Sequence, residues 1–151
     1  MNKSLDKQVY SSFDQLKPVQ LHDLFRLRQQ VFILEQNCPY DDIDGHDPEA
    51  MHYLIYRNNM LAAYSRIFQP GSKYADQCSI GRIIVHPEFR STGLGHELIR
   101  GSIERCECDL IRIEAQAPLI SYYNQFGFKE EGEVYVVDGI DHIQMVLDRS
   151  A

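Results

Sequence analysis

The sequence predicts a mixed α/β layer fold, and three observations carry that prediction. Short β-type runs succeed one another in the first half. A β-branched run then passes through a glycine-bearing turn into an amphipathic helix, and two strands around Asp138-Gly139 close the chain. Each such element hides only one face or stripe, so strands and helices in this order must stack as layers around a shared core.

In chain order, Val9 to Phe13 reads as a first strand. Pro18 suits the first turn of a helix, where its missing N–H is no loss. Leu21, Leu24, Phe25, the aliphatic stem of Arg28, Val31 and Phe32 follow at helical spacing. Asn37-Cys38-Pro39 stops that helix, and the acidic stretch to Glu49 carries turn chemistry at Asp44-Gly45 and Asp47-Pro48. His52–Arg57 and Leu61–Phe68 predict two strands joined by a tight turn at Asn58-Asn59. Ser79–Val85 is a β-branched run closed by His86-Pro87. From Gly93 to about Cys106, a helix presents Leu94, Leu98, Ile99, Ile103 and Cys106 on one face. Leu110–Ala115 predicts a further strand. Pro118 then opens a helix ending at Phe126-Gly127, with glycine as its left-handed C-terminal residue. Glu133–Val137 and His142–Leu147 form the last hairpin, and the latter, as an edge strand, offers a place for pairing in a homodimer.

The chain has 151 residues, 44% of them hydrophobic and 25% charged. That is the length and composition of one globular domain, here residues 1–151 with a core over 8–147, undivided by repeat, linker or low-complexity tract. No segment approaches the ~20 apolar residues of a membrane span, and the first residues lack a signal peptide's apolar core. Cys38, Cys78, Cys106 and Cys108 make no C-x-x-C pair and have no histidine at zinc-finger spacing. The expectation is reduced thiols in a cytoplasmic protein, without a metal.

The net charge of −7 is unevenly placed. Between Arg28 and Arg57 there is no Lys or Arg, yet Glu35, Asp41, Asp42, Asp44, Asp47 and Glu49 fall there. Binding a phosphate backbone needs clustered basic residues, so nucleic acid is disfavoured as a partner and a cationic small molecule or peptide is favoured. Asp42-x-Asp44-Gly45 invites a calcium reading, but in an EF-hand register Tyr40 and Met51 take the first and last ligand positions, so that reading fails. No G-x-S-x-G hydrolase nucleophile occurs.

The chemistry concentrates in the strand ending at Val85 and the loop Arg90-Ser91-Thr92-Gly93-Leu94-Gly95, which opens the following helix. Glycines at a helix N-terminus let a ligand approach free N–H groups, and the helix dipole there suits a pyrophosphate. A dinucleotide fold needs a third glycine where Leu98 stands, and a P-loop needs Lys where His96 stands. An oxidoreductase therefore lacks support, although Glu114 lies at the right distance for a ribose-binding acid.

The Arg90–Gly95 loop after a β-strand resembles the pyrophosphate-binding motif of the GCN5-related N-acetyltransferases. Tyr122-Tyr123-Asn124-Gln125-Phe126-Gly127-Phe128 is similar to that superfamily's F-Y-x-x-x-G-F. The resemblance extends to the ElaA-type branch through Leu27-Arg28, Val31-Phe32, Glu35 to Tyr40 and Asp42 to Gly45. Ala115-Gln116-Ala117, Glu133-Val134-Tyr135 and the segment from Asp138 to Met145 continue it. It spans roughly residues 8–147 and implies antiparallel N-terminal strands with a splayed, parallel central pair.

The resemblance implies acetyl-CoA as cosubstrate in the wedge between the splayed strands. Its pantetheine arm would lie along the backbone of Ile83, Ile84 and Val85, and its pyrophosphate on Arg90, Ser91, Thr92, Gly93, Leu94 and Gly95. Gln116 stands where many relatives carry Asn. Tyr123 matches the tyrosine that protonates the departing thiolate, a group whose conjugate acid has a pKa of about 8.5; read without the motif, Tyr122 and Tyr123 are equal candidates. The implied reaction is direct attack by a primary amine of a small molecule or peptide. Some relatives place a glutamate base where Ser79 stands, so the base is left among Glu35, His52, Glu114 and His142, through water. Glu35, Asp41 and Asp42 are the candidate acceptor-binding acids. Arg82, Arg90, Arg100 and Arg105 are the cations of the cofactor half. The departure at Ser79 keeps an alternative in play: a non-catalytic acyl-CoA-binding or regulatory module on the same fold.

Overall fold

In a computed structural model describing residues 6–150, seven strands form one twisted sheet with helices on both faces. The strands are β1 (Lys7–Ser12), β2 (Met51–Arg57), β3 (Met60–Phe68), β4 (Cys78–Val85), β5 (Leu110–Gln116), β6 (Lys129–Val137) and β7 (Ile140–Asp148). Their order across the sheet is β1-β2-β3-β4-β5-β7-β6. All neighbours are antiparallel except β4 and β5. The two hairpin turns follow from residue type: Asn58 and Asn59 have φ of 54° and 62°, and Asp138 and Gly139 of 50° and 78°. These are the left-handed pairs that match the twist of the flanking strands.

Helix α1 (Pro18–Arg28) starts on Pro18, and Gln20 accepts a hydrogen bond at 2.9 Å from the Lys17 N–H that the helix start would leave open. It buries Leu24 and Leu27 with Val31 against Leu54, Tyr56, Tyr64 and Ile84 on one face of the sheet. Helix α2 (Leu94–Arg105) covers the other face, where Leu98 and Ile99 meet Tyr53, Ile55, Ile111, Ile113 and Met145. Each aliphatic side chain so buried contributes about 1.5–3 kcal/mol. The helix expected from Pro118 to Phe126 divides into a single 3-10 turn at Ala117–Leu119 and the short α3 (Ile120–Asn124), which adds Tyr123 and leads to Phe128.

Two departures from the sequence reading matter. The first concerns β7, which is not an edge strand. It pairs with β5 from Leu110↔Asp148 to Gln116↔His142 and with β6 on its other side, so the sheet edges are β1 and β6. The reason is its pairing: β5 takes one side of β7 and β6 the other, and Ile143 and Met145 are buried in the same core cluster as Leu98 and Phe128. The second concerns the end of α1, which continues through Gln29–Glu35 as a π-helical segment whose wider turns carry Gln36 N to Val31 O (3.1 Å) and Cys38 N to Ile33 O (3.2 Å). Such wide turns are common at functional sites, and this one lays Phe32, Glu35 and Gln36 along a cleft.

Candidate active site

Strands β4 and β5 pair only at Cys78↔Ile111 and Ser79↔Arg112, then diverge. Beyond that point the edge of β4 from Ile80 to Val85 has no strand beside it, and a cleft of about 630 Å³ opens there. Its walls include Ile83, Ile84, Val85, Arg90, Gly95, Gln116, Tyr122 and Tyr123, together with Phe32, Glu35, Glu114 and His142.

The β4 edge is deformed at the same place. Tyr64 pairs with Ile84 and Arg66 with Gly81, so Ser65 alone faces both Arg82 and Ile83. Arg82 takes φ +49°, a left-handed conformation that costs a non-glycine residue of order 1–3 kcal/mol. Its side chain holds it there: Nε lies 2.8 Å from Asp42 Oδ1, NH2 donates to Asp42 O at 3.2 Å, and the guanidinium sits over the Tyr40 ring. A bulge leaves backbone groups of the extra residue out of the ladder, and Gly81, Arg82 and Ile83 all belong to the cleft lining.

The acids of the Glu35–Glu49 stretch are largely neutralised within the protein. Asp42 and Asp47 accept from the fully buried Arg28 at 2.9 and 2.7 Å, and Arg66 donates to Asp47 at 3.0 Å and to both oxygens of Asp44 at 2.9 Å. Burial raises the Asp44 and Asp47 carboxyls, but the guanidiniums outweigh it and hold both below the usual carboxylate range. Asp42 is buried and Asp41 is exposed, and neither lines the cleft. The two acids expected to steer the acceptor therefore lie elsewhere. Arg82, expected on the cofactor side, belongs to the cleft lining, with its guanidinium engaged by Asp42 and Asp44.

Glu35 does line the cleft, and Arg90 grips it bidentately, NH1 to Oε1 at 2.8 Å and NH2 to Oε2 at 2.7 Å. Arg90 Nε also donates to Val85 O at 3.1 Å, at the end of the open edge. Beyond Arg90 the loop turns through Ser91 (φ 64°) and Gly93 (φ 86°) into α2. Ser91, Thr92 and Gly93 are exposed and the Leu94 side chain is in the core; of the loop, Arg90 and Gly95 line the cleft and these four do not. The helix start leaves the N–H groups of Leu94, Gly95 and His96 without intrahelical partners.

Of the residues named as bases, His52 lies outside the cleft: it is wholly buried, bonded to the Tyr64 hydroxyl at 2.7 Å and to Asp47 O at 2.9 Å, and burial pushes its imidazole down. Glu114 lies on the cleft wall, accepting from the Tyr135 hydroxyl at 2.9 Å with Lys73 Nζ at 3.4 Å. Tyr123 lies in the cleft, 7% exposed, with its ring edge-on to Phe128. Burial pushes its phenol up, and Tyr122 adds to the effect. The bulge at Arg82 is the functional feature the sequence reading missed; Gly81 beside it was the only local signal.

Comparison with known proteins agrees with this geometry. The profile of the acetyltransferase (GNAT) domain matches residues 17–149. Protein ElaA of Escherichia coli is 39% identical over 140 residues, covering 89% of this chain and 91% of its own. The chain belongs to the GNAT family. Within it the chain falls in the ElaA-type branch: the crystal structure of E. coli ElaA superposes with a TM-score of 0.87 at 36% identity, over 95% of this chain and 99% of that one. A Pseudomonas aeruginosa acyl-CoA N-acyltransferase superposes at 0.86 with 32% identity, over 94% and 99%. A GNAT acetyltransferase of Elizabethkingia anophelis with acetyl-CoA bound shares the fold alone, at 0.68 and 15% identity over 97% and 99%.

GNAT membership supports acyl-CoA-dependent N-acyltransferase activity. The residues present fit an acyl-CoA: an unpaired strand edge, a glycine turn at a helix start, an arginine at the mouth, and Gly95, where a Cβ would come within 2.7 Å of the Tyr122 hydroxyl. Among the described residues no cluster of three or more His, Cys, Asp or Glu is arranged to hold a metal, and no helix is long and apolar enough to cross a membrane.

Proposed function

We propose that the protein transfers an acetyl group from acetyl-CoA to a primary amine by direct attack. The observation that carries this reading is the open, bulged edge of β4 with the buried Tyr123 in the same cleft. Acetyl-CoA supplies an activated thioester. Ile83, Ile84 and Val85 offer backbone groups to an extended arm, while Arg90 to Gly95 and the dipole of α2 offer positive character to a diphosphate. N–H groups at the bulge favour the charge that builds on a carbonyl oxygen under attack.

Two proton tasks remain. A lysine-like amine is almost fully protonated at neutral pH. Glu114 is suited to accept its proton, because Tyr135 orients the carboxylate in the cleft and its one ion-pair partner among the described residues, Lys73, sits at 3.4 Å. Tyr123 is suited to deliver a proton to the leaving thiolate, because its raised phenol stays protonated across the physiological range. The non-catalytic module was suggested by Ser79 standing where relatives have glutamate; a carboxylate on the opposite strand weakens that suggestion.

The test is release of free CoA from acetyl-CoA over a panel of primary amines, with a protein-free control. Tyr123→Phe should lower kcat by about a hundredfold or more, the usual worth of a positioned acid, and change the acetyl-CoA Kd by less than about twofold. Loss of affinity matching the loss of kcat would remove Tyr123 from the acid role. Tight acetyl-CoA binding with no thiol release for any amine would favour the non-catalytic module.

A further inference from the structure

The Glu35–Arg90 pair crosses the cleft. Glu35 closes the π-helical segment on one side; Arg90 follows β4 on the other; both belong to the cleft lining. All three donor positions of the Arg90 guanidinium are engaged: NH1 and NH2 by the two oxygens of Glu35, and Nε by Val85 O. Val85 O is one of the backbone acceptors on the edge proposed for the pantetheine arm. The pair is bidentate, the geometry in which arginine best matches either a carboxylate or a phosphate, and about half of each side chain remains accessible to solvent, at 43% for Arg90 and 40% for Glu35. A bound diphosphate and the Glu35 carboxylate are thus rivals for one planar fork.

We infer that Glu35 acts as an internal stand-in for the cofactor diphosphate, covering Arg90 until CoA takes it, so that the Glu35 carboxylate is free of its arginine only in the cofactor-loaded protein. The inference rests on the acyl-CoA reading above and deepens it. Transfer of Arg90 from carboxylate to phosphate exchanges one charge-assisted pair for another and adds the freed Glu35 carboxylate to the other acids of the cleft lining, Glu114 and Asp138, while Asp42, Asp44 and Asp47 lie outside that lining, held by arginines. A cationic amine is then attracted more strongly after the cofactor than before, which favours ordered addition and disfavours a futile complex of acceptor alone.

The experiment is CoA affinity by calorimetry in a double-mutant cycle. Glu35→Gln removes the rival, so the CoA Kd should fall about two- to fivefold, the range of an exposed ion pair. Arg90→Gln should raise it, and in that background Glu35→Gln should have no further effect, because the pair's coupling is gone. Glu88→Gln, a neighbouring exposed acid, controls for simple loss of negative charge and should leave Kd unchanged. The inference is overturned if Glu35→Gln leaves CoA binding unchanged or weaker, if its gain persists without Arg90, or if Glu88→Gln gains as much. Failure of the parent protein to bind CoA at all would instead defeat the acyl-CoA reading itself.

Discussion

Arg28 keeps a full charge with none of its side chain exposed, and that is tolerable only because Asp42, Asp47 and the Asp42 carbonyl meet its three donors. Removing one partner of such a group leaves an uncompensated buried charge, at about 3–5 kcal/mol. Asp47→Asn should therefore lower the melting temperature by on the order of 10 °C, given roughly 2–4 °C per kcal/mol at this size. The pH dependence has a definite sign. Asp47 is held below the ordinary carboxylate value, so its stabilisation is present above about pH 3.9 and is lost as pH falls through its folded value. His52 is pushed down by burial, so it too stabilises above its ordinary value of about 6.5 and less as pH falls from there. Urea titrations across pH should show stability declining already below about 6.5, and His52→Gln should flatten that upper limb alone. An unchanged limb in His52→Gln would mean that other groups produce it.

At the scale of elements, the start of α2 depends on Gly95 for a reason of space. An added Cβ would lie 2.7 Å from the Tyr122 hydroxyl but at ordinary contact, 3.8 Å, from Val85. Gly95→Ala should cost about 1–3 kcal/mol as overpacking. With Tyr122→Phe the clash disappears, and the same alanine should become neutral or stabilising by up to about 1 kcal/mol, as in any helix. A sign reversal in the cycle is the expected result, read by denaturant unfolding; equal costs in both backgrounds would place the strain elsewhere. This contact also marks what the sequence could reveal. The glycine turn and the succession of strands along the chain were legible because periodicity and residue type encode them locally, and the Tyr-Tyr-x-x-x-Gly-Phe run was legible through the family resemblance. The bulge at Arg82 was not, because an arginine at φ +49° is held by Asp42, forty residues away, and by the stacking of Tyr40. The acids at 42, 44 and 47 were legible as a charged run, but their arginine partners lie on α1, β3 and β4, so the sequence overstated the negative field offered to an acceptor. The interior position of β7 was likewise set by pairing with β5, a choice no local pattern specifies.

At the scale of the whole molecule, the sheet is two antiparallel halves joined along β4 and β5 by only two register pairs. The helix α2, whose apolar face shares one core with strands of both halves, and the Cys38 thiol, which donates to Asp138 O at 3.0 Å, also link the halves. A ligand that fills the opening should therefore add cross-links between halves already tied together rather than force them apart. Binding to the folded state alone adds about 2.7 kcal/mol at a hundredfold excess over Kd, which at this size corresponds to a rise in melting temperature of roughly 5–10 °C. The location of the gain is the sharper test. In hydrogen exchange with saturating acetyl-CoA, amides within Ile83–Val85 and in the first turn of α2, Leu94–His96, should become protected. β1 and β2, four and three strands from β5, should change little, and NADPH at the same concentration should protect neither region. A gain spread evenly over the sheet would mean that ligand binding tightens the fold generally, without occupying the open edge of β4.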